Sequence, residues 1–133
     1  MTANLQSHFL NLYAMALSDT QIDTTELEVL YKIGHEKGVD KVQIDQIILN
    51  PDKVKFSFPD TLSEKIIYLY DFAKIILADG IVDTNERKTL ELFCGRFGFE
   101  ESNISTIAEF LIASAKDNLE VADLLQIINE NLN

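Results

Sequence analysis

Apolar residues recur at helical spacing along almost the whole chain. Between Leu5 and Leu17 the stripe runs Leu5, Phe9, Leu12 and Ala16, the pattern of an amphipathic helix. A second helix is expected from near Thr24, with Leu27, Leu30, Tyr31 and Gly34 on one face. Gly38 is its natural stop, because glycine takes positive φ without steric cost. Asp40 with Gln43 predicts the cap of a shorter third helix holding Ile44, Ile47 and Ile48. Asn50-Pro51 closes it, since the residue before a proline is pushed out of the α region, and the segment to Pro59 reads as a connector. Thr61 and Glu64 form a Thr-x-x-Glu box opening a long helix through Ile66, Tyr70, Ala73 and Leu77. With Ile67, Leu69, Phe72, Ile75 and Ile76 added, that helix is apolar nearly all round and is expected at the centre.

A fifth helix from about Thr84 carries Leu90, Phe93, Cys94 and Phe97 at i, i+3, i+4 and i+7, and Gly98 ends it. Ile104, Ile107, Ala108, Leu111 and Ala115 make the next stripe. A last helix, capped near Asn118, presents Val121, Leu124, Leu125, Ile128 and Leu132. No run alternates β-branched with polar residues over a useful length, so strands are not predicted. The expected fold class is all-α, about seven helices in a single domain spanning 1–133.

The pattern repeats at an offset of sixty residues without a gap. Leu17/Leu77, Asp19/Asp79, Asp23/Asp83, Thr24/Thr84, Glu26/Glu86, Leu30/Leu90, Gly38/Gly98, Ile44/Ile104 and Ile47/Ile107 are identical pairs. Gly34 falls opposite Cys94, two small residues that suggest close helix contact. The reading is a compact bundle of two pseudo-symmetric three-helix repeats, about 5–48 and 65–115, with a C-terminal helix covering its side. The alternative is that generic capping chemistry recurs in two unrelated halves.

Composition narrows the partners. The chain has 133 residues, 22 acidic against 11 basic, and a net charge of -11. That balance repels nucleic-acid phosphates and anionic lipid and favours cations or a basic protein surface. A single cysteine rules out an internal disulfide and suits a reducing compartment. No apolar run reaches transmembrane length, and the first residues carry Asn4, Gln6 and His8 where a signal peptide would be apolar. A soluble cytoplasmic protein is expected, without nucleic-acid or membrane partners; oligomeric state is not legible.

The densest chemistry lies in two acidic turns, Ser18–Glu26 and Ala78–Glu86. Asp79, Gly80, Asp83 and Glu86 match the second half of an EF-hand loop. Its first and third ligand positions would be Ile75 and Leu77, or Met15 and Leu17 in the other copy, which carry no side-chain oxygen, so an EF-hand is set aside. Two readings stay open. Asp23 with Glu26, and Asp83 with Glu86, have the spacing of capping boxes. Asp19 and Asp79 sit where a helix ends and a negative charge is unfavourable, which suits either an Asx-type turn or a divalent cation. The metal-ligand set would be Asp79, Asp83, Glu86, Asp19, Asp23 and Glu26, and the hard oxygens point to Ca²⁺ or Mg²⁺.

Elsewhere the signals are structural. His8 and His35 have no partner at zinc spacing and read as surface or helix-edge residues. Cys94 lies on an apolar stripe and reads as an inert core thiol. No phosphate loop or Ser/His/Asp arrangement is present, so no enzyme is predicted. From Asp117 onward, Asp117, Glu120, Asp123 and Glu130 occur with no Lys or Arg, an acidic face that is either solvated or meets a basic partner.

Ala78-Asp79-Gly80-Ile81-Val82-Asp83-Thr84-Asn85-Glu86, following a long apolar helix, resembles the Ala-Asp-Gly-x-x-x-x-x-Glu signature of the tellurite-resistance TerB-like proteins. The resemblance covers most of the chain and implies a small, acidic, all-helical domain linked to metal binding and stress responses. It carries over to Asp79, Gly80 and Glu86, with Asp83 common to similar members. The first copy departs from it, with Ser18 for Ala and Thr20 for Gly. The family also occurs fused in a membrane-anchored DnaJ-type co-chaperone, but nothing here resembles a J domain. The expected function is a non-enzymatic domain that binds a divalent cation or a partner. Its rival is a pure interaction scaffold whose acidic turns only cap helices and whose groove between the halves takes a partner helix.

Overall fold

The computed structural model describes residues 1–16, 24–78, 80 and 82–132, with side chains through Glu130. Among them lie seven α-helices and no strand: α1 (Ala3–Ala16), α2 (Thr24–Glu36), α3 (Lys41–Leu49), α4 (Leu62–Ile76), α5 (Thr84–Arg96), α6 (Glu101–Lys116) and α7 (Val121–Leu132). A single 3₁₀ turn, Pro51–Lys53, opens the connector between α3 and α4.

The helix boundaries follow the local chemistry. Asp40 accepts from Gln43 N at 2.9 Å while Gln43 Oε1 accepts from Asp40 N at 3.1 Å, a complete capping box. At α4 the threonine arm forms, Glu64 N donating to Thr61 Oγ1 at 3.2 Å. Helices α2 and α5 end alike: Gly38 (φ 77°) and Gly98 (φ 93°) take the left-handed conformation. The next amides reach back, Val39 N to Gly34 O at 2.7 Å and Phe99 N to Cys94 O at 3.2 Å, which satisfies carbonyls that the helix leaves open.

Asn118 has a different role from the one expected. It is the left-handed residue (φ 52°) that ends α6, with Leu119 N donating to Ser114 O at 3.0 Å, rather than the cap of α7. Asparagine tolerates that conformation better than other non-glycine residues. The sequence pattern is the same for a residue that closes one helix or opens the next three residues later.

Helix α4 is the hub. It packs against α1, α2, α5, α6 and α7, α1 also meets α2 and α3, and α5 meets α6. The all-round apolarity of α4 has this as its physical cause, since a helix surrounded by neighbours has no solvent face. Leu69, Phe72, Ala73, Ile75 and Ile76 are fully buried. Phe72 stacks on Phe93 with centroids 4.5 Å apart, and each large side chain buried this way stabilises the fold by about 1.5–3 kcal/mol.

Helix α7 packs on α4, and among its described side chains Leu124 and Ile128 are buried. Tyr70 of α4 ties down the turn before it. Its hydroxyl lies 3.1 Å from Ser114 O and 2.7 Å from Leu119 O. Tyr70→Phe takes the hydroxyl donor from the Leu119 carbonyl, while Ser114 O keeps its bond from Leu119 N, so a loss of about 1 kcal/mol is expected in chemical denaturation. Faster hydrogen exchange at Leu119 should accompany it, and unchanged exchange there would separate the hydroxyl from the turn.

Candidate functional site

Among the described residues, polar chemistry and open space lie at the second acidic turn, at a buried ionic cluster and in grooves between the helices. The turn follows directly from the end of α4. Leu77 N donates to Ala73 O, Ala78 N to Ile75 O, and Gly80 N to Leu77 O at 2.9 Å, with Gly80 at φ 80°. Asp83 then starts α5 with extended backbone. Its Oδ1 accepts from Glu86 N at 2.8 Å, and Glu86 Oε1 lies 3.5 Å from Asp83 N.

The Asp83–Glu86 pair is therefore a capping box, and both acids also face the positive end of the α5 dipole. Asp83→Ala should cost about 1 kcal/mol through loss of the cap. Fraying of the first turn of α5, read as lost amide protection at Arg87 and Lys88, checks it.

Of the other proposed ligands, Glu26 is described and buried in the first turn of α2 at 2% exposure, close to the 3% of Glu86. Asp19, Asp23 and Asp79 lie outside the described residues. Among the described residues no group of three His, Cys, Asp or Glu side chains is arranged to hold a metal ion. Asp83 and Glu86, each with an oxygen engaged in the cap, do not form a cation site by themselves.

The ionic cluster was not foreseen. His8, expected at a surface or helix edge, is inside: its side chain is 1% exposed and that of Asp71 3%. His8 Nε2 is 2.9 Å from Asp71 Oδ2, and Lys37 Nζ approaches the same oxygen at 3.1 Å. The imidazole stacks on Tyr68 at 4.0 Å and meets Phe72 edge-on at 5.5 Å. Burial lowers the His8 pKa, and the Lys37 charge adds to this, against the opposing hydrogen bond and charge of Asp71.

Neutral His8 thus donates from Nε2 to the carboxylate, while Nδ1 has no hydrogen-bond partner among the described residues. Lys37 keeps its ammonium at the rim, a fifth exposed, while its stem reaches in. A histidine oriented by an aspartate is also a fragment of hydrolytic machinery, but this imidazole is closed off from any substrate. The sequence did hold a signal. His8 is one turn from both Leu5 and Leu12 on the apolar stripe, and Asp71 is the only acid in the middle of the apolar helix. Two polar residues on two core faces are each other's natural partners.

Cys94 is buried as expected, and burial, with the Glu91 charge adding, pushes its thiol up to about 12. A thiolate nucleophile is not available there near neutral pH. His35 is exposed.

The first groove, about 420 Å³, opens between α2, α4 and the turn joining α6 to α7. Lys32, Glu36, Lys74 and Glu120 line it, with Leu77 and Ala78 at the edge leading to the acidic turn. Lys74 Nζ sits 4.9 Å from the Tyr70 ring centre and 4.0 Å from Glu36 Oε2. Two bases balance two acids, so charge there selects no particular ligand.

The second groove, about 460 Å³, is apolar. Phe99, Ile107 and Phe110 wall one side, Ile127 and Ile128 of α7 the other, and Ile66 of α4 forms part of its lining. No helix among the described residues is long and apolar enough to cross a membrane. Comparison of the chain with family models, with curated proteins and with solved structures returns no match.

Proposed function

We propose that this chain is a non-enzymatic, cytoplasmic interaction module of the TerB-like kind, in which the acidic turns start helices and the grooves of the bundle engage a protein partner. The observation that carries this reading is the Asp83–Glu86 box, which commits both described acids of the best-formed turn to capping α5. The resemblance of residues 78–86 to the TerB-like signature is what ties the module to metal or oxidative stress.

A duplicated architecture belongs to the same proposal: two three-helix repeats, about 5–48 and 65–115, joined back to back and flanked by α7. Support comes from the matching helix ends at Gly38 and Gly98. It comes also from α1 and α4, counterparts at the sixty-residue offset, which pack together. His8 stacks on Tyr68, its own counterpart at that offset, as an approximate two-fold axis between equivalent helices would arrange.

The second reading puts Ca²⁺ or Mg²⁺ on the acidic turns, and the observation favouring it is the burial of Glu26 and Glu86 at matching turn ends. Calorimetric titration of the metal-free chain with Ca²⁺, Mg²⁺, Mn²⁺ and Zn²⁺ separates the two. The interaction module gives no saturable heat and no rise in Tm, whereas a cation bound more tightly than about 1 mM, roughly 4 kcal/mol, would overturn the reading of the turns as caps alone. Affinity capture with wild type and Asp79→Asn supplies the other arm. The same partner set is expected from both, and a wild type that captures nothing removes the module reading.

A further inference from the structure

An apolar groove lies between α6 and α7. Its floor and walls come from Ile66, Phe99, Ile107, Phe110, Ile127 and Ile128. On α6, Asn103, Thr106, Ile107 and Phe110 fall at i, i+3, i+4 and i+7, so the groove follows that helix for two turns, about 10 Å. That length accommodates the i, i+3, i+4, i+7 anchors of one helix laid into another's groove. Ile127 is 38% exposed, a large apolar side chain left at the rim.

The charge around this groove is one-sided. From Phe99 to the end, the sequence holds seven acidic residues, of which Glu120 lines the other groove and Glu109 reaches Arg87, against the single base Lys116. Asp123 and Glu130, both exposed, bracket Ile127 at i−4 and i+3 on α7, and exposed Glu100 stands next to Phe99 where α6 begins. A basic side chain, Lys65 of α4, stands beside Gly98, next to Phe99, with its Nζ 3.7 Å from where a Cβ would stand there.

We infer that this groove docks an amphipathic helix of a partner protein whose apolar face fills the cleft and whose flanking residues are Lys and Arg. Charge complementarity selects the occupant. A second copy of the chain brings another net charge of -11, and a fatty-acid carboxylate or anionic lipid meets the same repulsion. A basic helix gains both apolar burial and attraction to Glu100, Asp123 and Glu130. This inference rests on the module reading above and names the surface and the partner chemistry.

The probe is a labelled 18-residue peptide with Leu at i, i+3, i+4 and i+7 and Lys elsewhere. Its controls are a scrambled peptide of the same composition and a Leu/Glu peptide with the same pattern. Saturable anisotropy binding of the patterned Leu/Lys peptide is expected, at least roughly tenfold tighter than either control, about 1.4 kcal/mol. Chemical-shift changes should centre on Asn103–Phe110 and Ile127. Asp123→Asn with Glu130→Gln should weaken binding several-fold and reduce its salt dependence. Ile127→Ser, at a partly exposed site that leaves the core intact, should weaken it as well, with circular dichroism confirming the fold.

Equal binding of the scrambled peptide, shifts centred on the Lys32 and Lys74 groove, concentration-dependent dimerisation that occludes Ile127, or no binding by about 1 mM would each overturn the inference. If wild type and Ile127→Ser capture the same cellular partners while the peptide fails, the groove assignment falls and the module reading stands. If wild type captures nothing, the module reading itself falls.

Discussion

Replacing Asp71 by alanine is expected to lower the unfolding free energy by about 2–3 kcal/mol, because it leaves a cavity and removes the buried acceptor that neutral His8 and the rim ammonium of Lys37 share. Asp71 Oδ2 is the shared acceptor for His8 Nε2 and Lys37 Nζ, so both donors lose their acceptor at once. For a chain of this size the melting temperature should fall by roughly 5–10 °C. His8→Phe keeps an aromatic ring against Tyr68 and leaves Asp71 paired with Lys37, so its cost should be smaller. Thermal and urea denaturation of both variants and of the double variant measure the coupling; an Asp71→Ala protein as stable as wild type would refute the cluster's role.

The same cluster sets a pH dependence with a defined sign. Burial lowers the folded-state pKa of His8 below its ordinary 6.5. Above 6.5 the imidazole is neutral in both states and contributes no slope. Below it the unfolded chain takes up a proton that the folded chain does not, so stability falls as pH falls, with a slope of up to about 1.4 kcal/mol per unit for one proton. Urea midpoints between pH 7 and 5.5 should drop for wild type and stay flat for His8→Phe, a window that lies above the ordinary titration of Asp and Glu.

Gly34→Ala is the second large effect, and its sign runs against helix propensity. In an open helix that change stabilises by about 0.8–1 kcal/mol. Here the new Cβ would stand 2.5 Å from Ile44 Cδ1 and 2.9 Å from Val39 O. The Ile44 tip can move, but the Val39 carbonyl belongs to the chain reversal whose amide bonds Gly34 O. A net loss of about 1–3 kcal/mol is expected from overpacking. Ile44→Val removes the clashing methyl and should recover part of the loss in the double variant.

Gly95→Ala is the internal control. Its Cβ meets only Ile104 Cδ1, at an ordinary 3.6 Å, so a gain of about 0.5–1 kcal/mol is expected there. Both substitutions lie in helices and differ only in what surrounds them. Equal effects at the two glycines would show that propensity, not packing, governs Gly34.

The helices were legible because their causes are local. Asp40 with Gln43, Thr61 before Glu64, and Asp83 with Glu86 are caps whose partners lie three residues away, and a spacing that short is fixed by helix geometry alone. Gly38 and Gly98 were legible for the same reason. Asn118 was not, because the residues from Ala115 to Val121 suit the end of one helix and the start of another, and the carbonyls of Ser114 and Leu119 brought to Tyr70 belong to the α6 end.

The second acidic turn was legible as residues and ambiguous as chemistry. Asp83 and Glu86 stood as caps or ligands in the sequence, and their hydrogen bonds show the cap; Asp79, Asp19 and Asp23, on which the cation reading depends, lie outside the described residues. The apolar groove was hidden for a different reason. Ile107, Phe110 and Ile127 look like ordinary core positions of two stripes, and whether such stripes close on each other depends on how far α7 stands from α6.

By itself, then, the sequence determined an all-helical chain, most of its helix starts and ends, the central place of Leu62–Ile76 and the acidic surface, since each depends on periodicity, near neighbours or composition. Only the tertiary structure decided that His8, Asp71 and Lys37 meet, that Gly34 has no room for a methyl group, and that α6 and α7 leave an apolar cleft between them. These depend on distances between residues far apart in the chain, 63 positions in the case of His8 and Asp71, and helical periodicity carries a residue's face but not the identity of what it faces.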